Sequence, residues 1–173
     1  MANFLFKDGI ARILDRSHSN THDMEAQTFK VRLLTTAITK ANVSDATTFT
    51  FSSPTITFVG VTGQTATEFT GTSAAIKTLA DEAWVLSAGT GGTGDDGFVF
   101  LEATDITWSA LGASGETKIV GALLYEDDSS TFRPLAYYDF EVEPDGGDVT
   151  LQWGSVTGAT PSGAAKGVVF KVT

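Results

Sequence analysis

"AWVLSAGTGGTGDDGFVFLEAT", residues 83–104, holds the choice between two folds. Gly89, Gly91 and Gly94 complete a G-x-G-x-x-G directly after an apolar run, which is the glycine spacing of a dinucleotide-binding turn. Such a turn works only when it leads into a helix whose first amides and dipole face the pyrophosphate. Here Asp95 and Asp96 follow, and their carboxylates repel phosphate; then comes "GFVFLEAT", a β-type run. The stretch therefore reads as a connector between two antiparallel strands, with no nucleotide site.

On both sides of it the strand signals continue. They are "QTFKVRLLTT" (27–36), "PTITFVGV" (54–61), "TATEFTG" (65–71), "AAIKTLA" (74–80), "AWVLSA" (83–88) and "GFVFLEATDITWSAL" (97–111). "TKIVGALLYED" (117–127), "FRPLAYYDFEV" (132–142), "DVTLQWG" (148–154) and "GVVFKVT" (167–173) complete the set. Phe29, Val31 and Leu33 alternate with Lys30 and Arg32, and Val149, Leu151 and Trp153 alternate with Thr150 and Gln152. A period of two sends one set to a core and the other to solvent or a partner. Short strands separated by Gly, Asp and Ser predict an all-β fold, an antiparallel β-sandwich or barrel-like body. The start differs. Phe6, Ile10, Ile13 and Leu14 fall at helical spacing, so residues 4–15 read as one short amphipathic helix. The expected organisation is an N-terminal arm with a short helix over 1–22 and a β-sandwich-like domain over 23–173.

Composition narrows the function classes. The net charge of −10 over 173 residues, without any Lys or Arg run, argues against a nucleic-acid backbone as partner. With no cysteine there are no disulfides and no thiolate metal sites. "MANFLFKDGIARILDRSHSN" lacks a signal-peptide core, and no window approaches the roughly 18 apolar residues of a membrane span. A soluble protein made in a cytosol, without a membrane partner, is expected.

Candidates for chemistry are few. His18 and His22 stand four apart with Asp23 beside them, a spacing that could start a zinc site on a helix, but "SHSNTHD" is turn-like and offers no third ligand. Asp95-Asp96 and Glu126-Asp127-Asp128 lack the ligand periodicity of a calcium loop, and a hairpin turn accounts for "YEDDSSTF". No G-x-S-x-G occurs. The expectation is no enzyme activity, no metal and no cofactor. Trp84, Trp108 and Trp153 sit in alternating strands and read as core. Phe4, Leu5 and Phe6 crowd a chain end, before a helix too short to be stable alone. They either dock back onto the domain or reach a neighbouring chain.

Taken together, "ATDITWSALG" (103–112), "KIVGALLYEDDSSTFRPLAYYDFE" (118–141), "PDGGDVTLQWGS" (144–155) and "GVVFKVT" (167–173) resemble a family of small virion structural proteins of tailed bacteriophages. The opening "MANFLFKDGIARILD" and the strand "TFKVRLL" (28–34) resemble that family's N-terminal pattern, whereas residues 42–100 do not align with it. The resemblance implies a non-enzymatic particle component, foremost a capsid decoration (cement) protein on the exterior of virions assembled in the host cytoplasm. Its partners would be the major capsid protein and further copies of itself, often as a trimer. On this reading Phe4, Leu5, Phe6 and Ile10 are the expected oligomer or capsid contact. A tail or fibre component and a carbohydrate-binding β-sandwich are the alternatives.

Overall fold

The computed structural model describes residues 3–14, 27–72, 74, 76–87, 98–128, 131–154 and 166–172. In chain order they form β1 (Phe4–Leu5), α1 (Lys7–Leu14), β2 (Phe29–Leu34), α2 (Lys40–Val43), β3 (Thr48–Ser52), β4 (Thr55–Val59) and β5 (Thr65–Thr67). There follow β6 (Lys77–Thr78), β7 (Ala83–Ser87), β8 (Phe98–Thr104), β9 (Ile106–Trp108), β10 (Ile119–Asp128), β11 (Thr131–Val142), β12 (Val149–Leu151) and β13 (Lys166–Val172). The fold is all-β, and the ladders of its two larger sheets are antiparallel. Where the sequence suggested an arm and one body, the chain divides into two compact units: Met1–Thr78 with Trp108–Val149, and Leu79–Thr107 with Thr150–Thr173.

The first unit is built on one sheet in the order β5-β4-β3-β11-β10-β2-β6, with β1 also on β11. Past β5 the chain turns back onto β2. Thr35 N–H donates to Thr67 O and Phe69 N–H donates to Leu33 O, both at 2.9 Å, and Leu34 bridges Glu68. The path β2-β10-β11-β3-β4-β5 therefore returns to β2 and closes as a barrel, leaving no open edge along that circuit. Residues directly opposite in an antiparallel pair share a face. Phe49 faces Phe58, Phe51 faces Ile56, Ile56 faces Ala66, and Leu123 lies opposite both Tyr137 and Arg32. This face is the core, where Phe49, Ile56, Phe58, Leu123, Tyr125 and Tyr137 cluster with Phe4, Phe6, Ile38 and Val43. Packing also explains a glycine within β10: a Cβ on Gly121 would stand 2.6 Å from the Tyr137 ring.

The second unit holds the sheet β13-β8-β7. Trp153 anchors it, its indole N–H donating to Thr104 O at 2.7 Å and its backbone N–H to the Asp105 carboxylate at 2.9 Å. Gly167 on β13 lies against the Trp153 backbone so closely that a Cβ there would sit 2.5 Å from the Trp153 carbonyl oxygen. A two-stranded ladder joins β9 to β12.

Several expectations change. Residues 4–15 are not one helix: Phe4–Leu5 pair with β11 as a strand, and α1 begins only at Lys7. Residues 97–111 hold two strands, divided at Asp105. β3 and α2 were not foreseen. Arg32, placed by alternation toward solvent or a partner, is buried, because β2 has neighbours on both edges and both its faces are covered. Trp108 and Trp153 are buried as expected, and Gln152 is exposed.

Candidate functional site

The N-terminal segment was the leading candidate for an external contact. Phe4 pairs with Tyr137 and Leu5 with Ala136 along the edge of β11. The Asn3 side chain accepts from Asp139 N–H at 2.9 Å, Phe6 N–H donates to Leu135 O at 3.0 Å, and Lys7 N–H donates to Ser44 O at 2.9 Å. Phe4 is 7% exposed and Phe6 0%. Their rings lie 5.2 Å apart, with Phe4 5.5 Å from Tyr137 and Phe6 6.0 Å from Phe58. Of the two alternatives for this segment, docking back onto the domain is the one seen for these two rings, whose side chains complete the first unit's own core. Leu5 and Ile10 are half-buried. α1 packs closely on β11, since a Cβ on Gly9 would meet Leu135 at 3.0 Å.

Inside the barrel a polar group sits among aromatic rings. Arg32 donates to Glu68 Oε1 at 2.7 Å and to the Tyr125 hydroxyl at 3.2 Å, and its guanidinium lies 3.8 Å over the Phe51 ring. Burial raises the Tyr125 hydroxyl above the usual tyrosine range, and the Arg32 charge partly offsets that rise. The ion pair compensates two buried charges. Nothing in the sequence marks Arg32 and Glu68 as partners, since their pairing depends on barrel closure.

The carboxylates of "YEDD" are engaged by cations. Asp127 pairs with Lys30 at 2.5 Å, and Arg133 lies 3.5 Å from Glu126 and 3.1 Å from Asp128. Asp128 stands opposite Thr131 in the β10–β11 ladder, the hairpin read from the sequence. An open cleft of about 340 Å³ is lined by Thr35, Pro54, Glu68, Phe69, Glu116 and Thr117 among others. Its two carboxylates are held by the chain itself: Glu68 by Arg32, and Glu116 by the Thr72 N–H and hydroxyl. Among the described residues, no three His, Asp or Glu side chains are grouped to hold a metal ion. His18, His22, Asp23, Asp95, Asp96 and the glycine stretch 89–97 lie outside the described residues, as does the side chain of Trp84. The strands flanking that stretch pair antiparallel, with Ser87 opposite Phe98 and Ala83 opposite Glu102. A strand therefore follows the glycines where a dinucleotide fold requires a helix.

A second surface emerges from β3, β4 and β5. Thr50, Ser52, Thr55, Thr57, Val59 and Thr65 point outward and are exposed, while Phe49, Ile56, Phe58 and Ala66 point inward. Register places Thr50 opposite Thr57, Thr57 opposite Thr65, and Ser52 opposite Thr55. Hydroxyls thus line up in rows across three strands. The repeated T-x-T of "TFT", "TIT" and "TAT" carries this signal in the sequence.

Comparison with protein-family models, curated proteins and solved structures finds no match for the chain.

Proposed function

We propose that the protein is a non-enzymatic structural component of a bacteriophage virion, a decoration protein that binds the outside of the shell formed by the major capsid protein. The observation that supports this reading is how the segments resembling the phage proteins are arranged. Four strands of those segments, β1, β11, β10 and β2, come from opposite ends of the chain yet are consecutive neighbours in one sheet, while β9 and β12 pair with each other and β13 lies in the second unit's sheet. For those four strands the resemblance follows contiguous structure. The middle of the chain adds β3, β4 and β5 to this group, joining β11 at one side and β2 at the other. The first unit's barrel suits a protein that must endure on a particle surface, because its circuit of strands leaves no free edge to aggregate.

The test is binding to particles. Purified protein is mixed with heads lacking it and, separately, with tails from the same phage, and each mixture is sedimented. Saturable binding to heads, at a copy number set by shell symmetry, is the expected result. Binding to tails alone would move the protein to the tail, and sedimentation with neither would reject the particle role.

A further inference from the structure

The outward face of β3, β4 and β5 combines two properties. It is exposed, and it carries no charge. No charged residue occurs between Asp45 and Glu68, in a chain whose formal charge is −10. The exposed sheet faces of soluble proteins ordinarily carry Lys and Glu, which discourage association. Here the outward positions are Thr, Ser and Val, with hydroxyls aligned by the register Thr50–Thr57–Thr65.

We propose that this neutral threonine face is a self-association surface, occupied by the same face of a second copy of this chain. Charge selects the occupant. A basic partner would be drawn to the acidic surfaces elsewhere on the molecule, whereas two acidic copies repel each other except where the approaching faces are neutral. Threonine also suits a face that must match itself. Its hydroxyl both donates and accepts, so identical faces related by a two-fold axis satisfy one another. Its β-branched side chain has little rotamer freedom to lose, and its methyl adds apolar contact.

The size of the face sets the strength. Three strands about 4.8 Å apart, two of five residues and one of three, present at most roughly 14 by 17 Å, well below the ~800 Å² per partner of a stable complex. In free solution the contact is therefore weak. Between copies held side by side on a common support it is strengthened by effective concentration. The inference does not depend on the particle role, because it is read in solution without shells.

The experiment is sedimentation velocity together with amide chemical-shift mapping, on protein from about 10 μM to about 1 mM. Wild type should shift toward dimer with rising concentration, with shift changes centred on Thr50, Thr57 and Thr65. Thr57 is exposed at the middle of the face, between Thr50 and Thr65. Thr57→Glu and Thr57→Lys should each weaken association at least about tenfold, because either sign meets itself across a two-fold axis. Thr50→Glu and Thr50→Lys repeat the test should a Thr57 variant lose its fold. A wild type monomeric throughout the range would overturn the proposal. So would shift changes on another face, or Thr57→Lys tightening association while Thr57→Glu loosens it, since that pattern tracks net charge rather than this contact.

Discussion

Arg32 and Glu68 form an ion pair of 2.7 Å inside the barrel of the first unit, beside the line where β2 meets the chain leaving β5. Their side chains are only 4% and 9% exposed, so each charge depends on the other for compensation. Removing one partner should therefore cost more than replacing both. Glu68→Ala is expected to destabilise by about 3–5 kcal/mol, while the double change Arg32→Met with Glu68→Leu should come within about 2 kcal/mol of wild type. Urea denaturation of the three variants checks this. Equal losses for the single and double changes would show that the pair is not the feature holding the seam.

The N-terminal segment is part of the first unit's core. Phe6→Ala should destabilise the unit by about 3–5 kcal/mol, as expected for removing a fully buried ring. Deleting residues 1–6 should prevent the isolated chain from folding, because it removes Phe4, Phe6 and the β1–β11 pairing together. A truncated protein with wild-type circular dichroism and melting temperature would return these residues to the role of an external arm.

The second unit has its own sensitive position. Gly167→Ala would drive a methyl group into the Trp153 backbone, which cannot rotate away as a flexible side-chain tip could. The change should cost about 1–3 kcal/mol. Hydrogen exchange locates the loss: amides of β8 and β13 should exchange faster, while those of β2 and β10 keep their protection. Equal loosening of both sheets would mean that the two units unfold together.

Strand alternation was the legible part of this chain. Together with runs of β-formers bounded by turn residues, it placed β2, β4 and β10 through β13 close to their observed positions. Of these, β4 alternates cleanly, whereas β2 and β10 are buried on both faces. Phe4 and Leu5 were absorbed into the helix because Phe6, Ile10 and Leu14 continue at helical spacing just behind them. β3 was within reach, as "TFTFS" alternates cleanly. Barrel closure was not, because the Leu34–Glu68 bridge joins positions that no local pattern connects. Arg32 was misplaced for the same reason: whether a charged residue on an alternating strand meets water or an interior partner depends on what closes over it. Of the expected contact set, only Leu5 and Ile10 keep partial exposure, since burial in tertiary packing claimed the two rings.

All three tyrosines have hydroxyl pKa values raised above the usual 10.0, and burial is the leading cause for each. The sign follows from linkage. A raised pKa means the folded chain holds these protons more tightly than the unfolded chain, so stability falls as pH rises past the unfolded value. Phenolate absorbance near 295 nm should stay low at pH 10 and then rise together with unfolding. A normal tyrosine titration in a protein that remains folded would contradict the burial of Tyr125 and Tyr137.

The proposed role as a shell-binding protein is tested most directly by the thermal stability of particles. Heads lacking the protein are heated with and without a saturating amount of it, and disruption is followed by DNA release. Decoration across shell subunits predicts that disruption moves to higher temperature in proportion to the copies bound, up to saturation. Heads that break at the same temperature, with the protein left in the supernatant, would contradict the account.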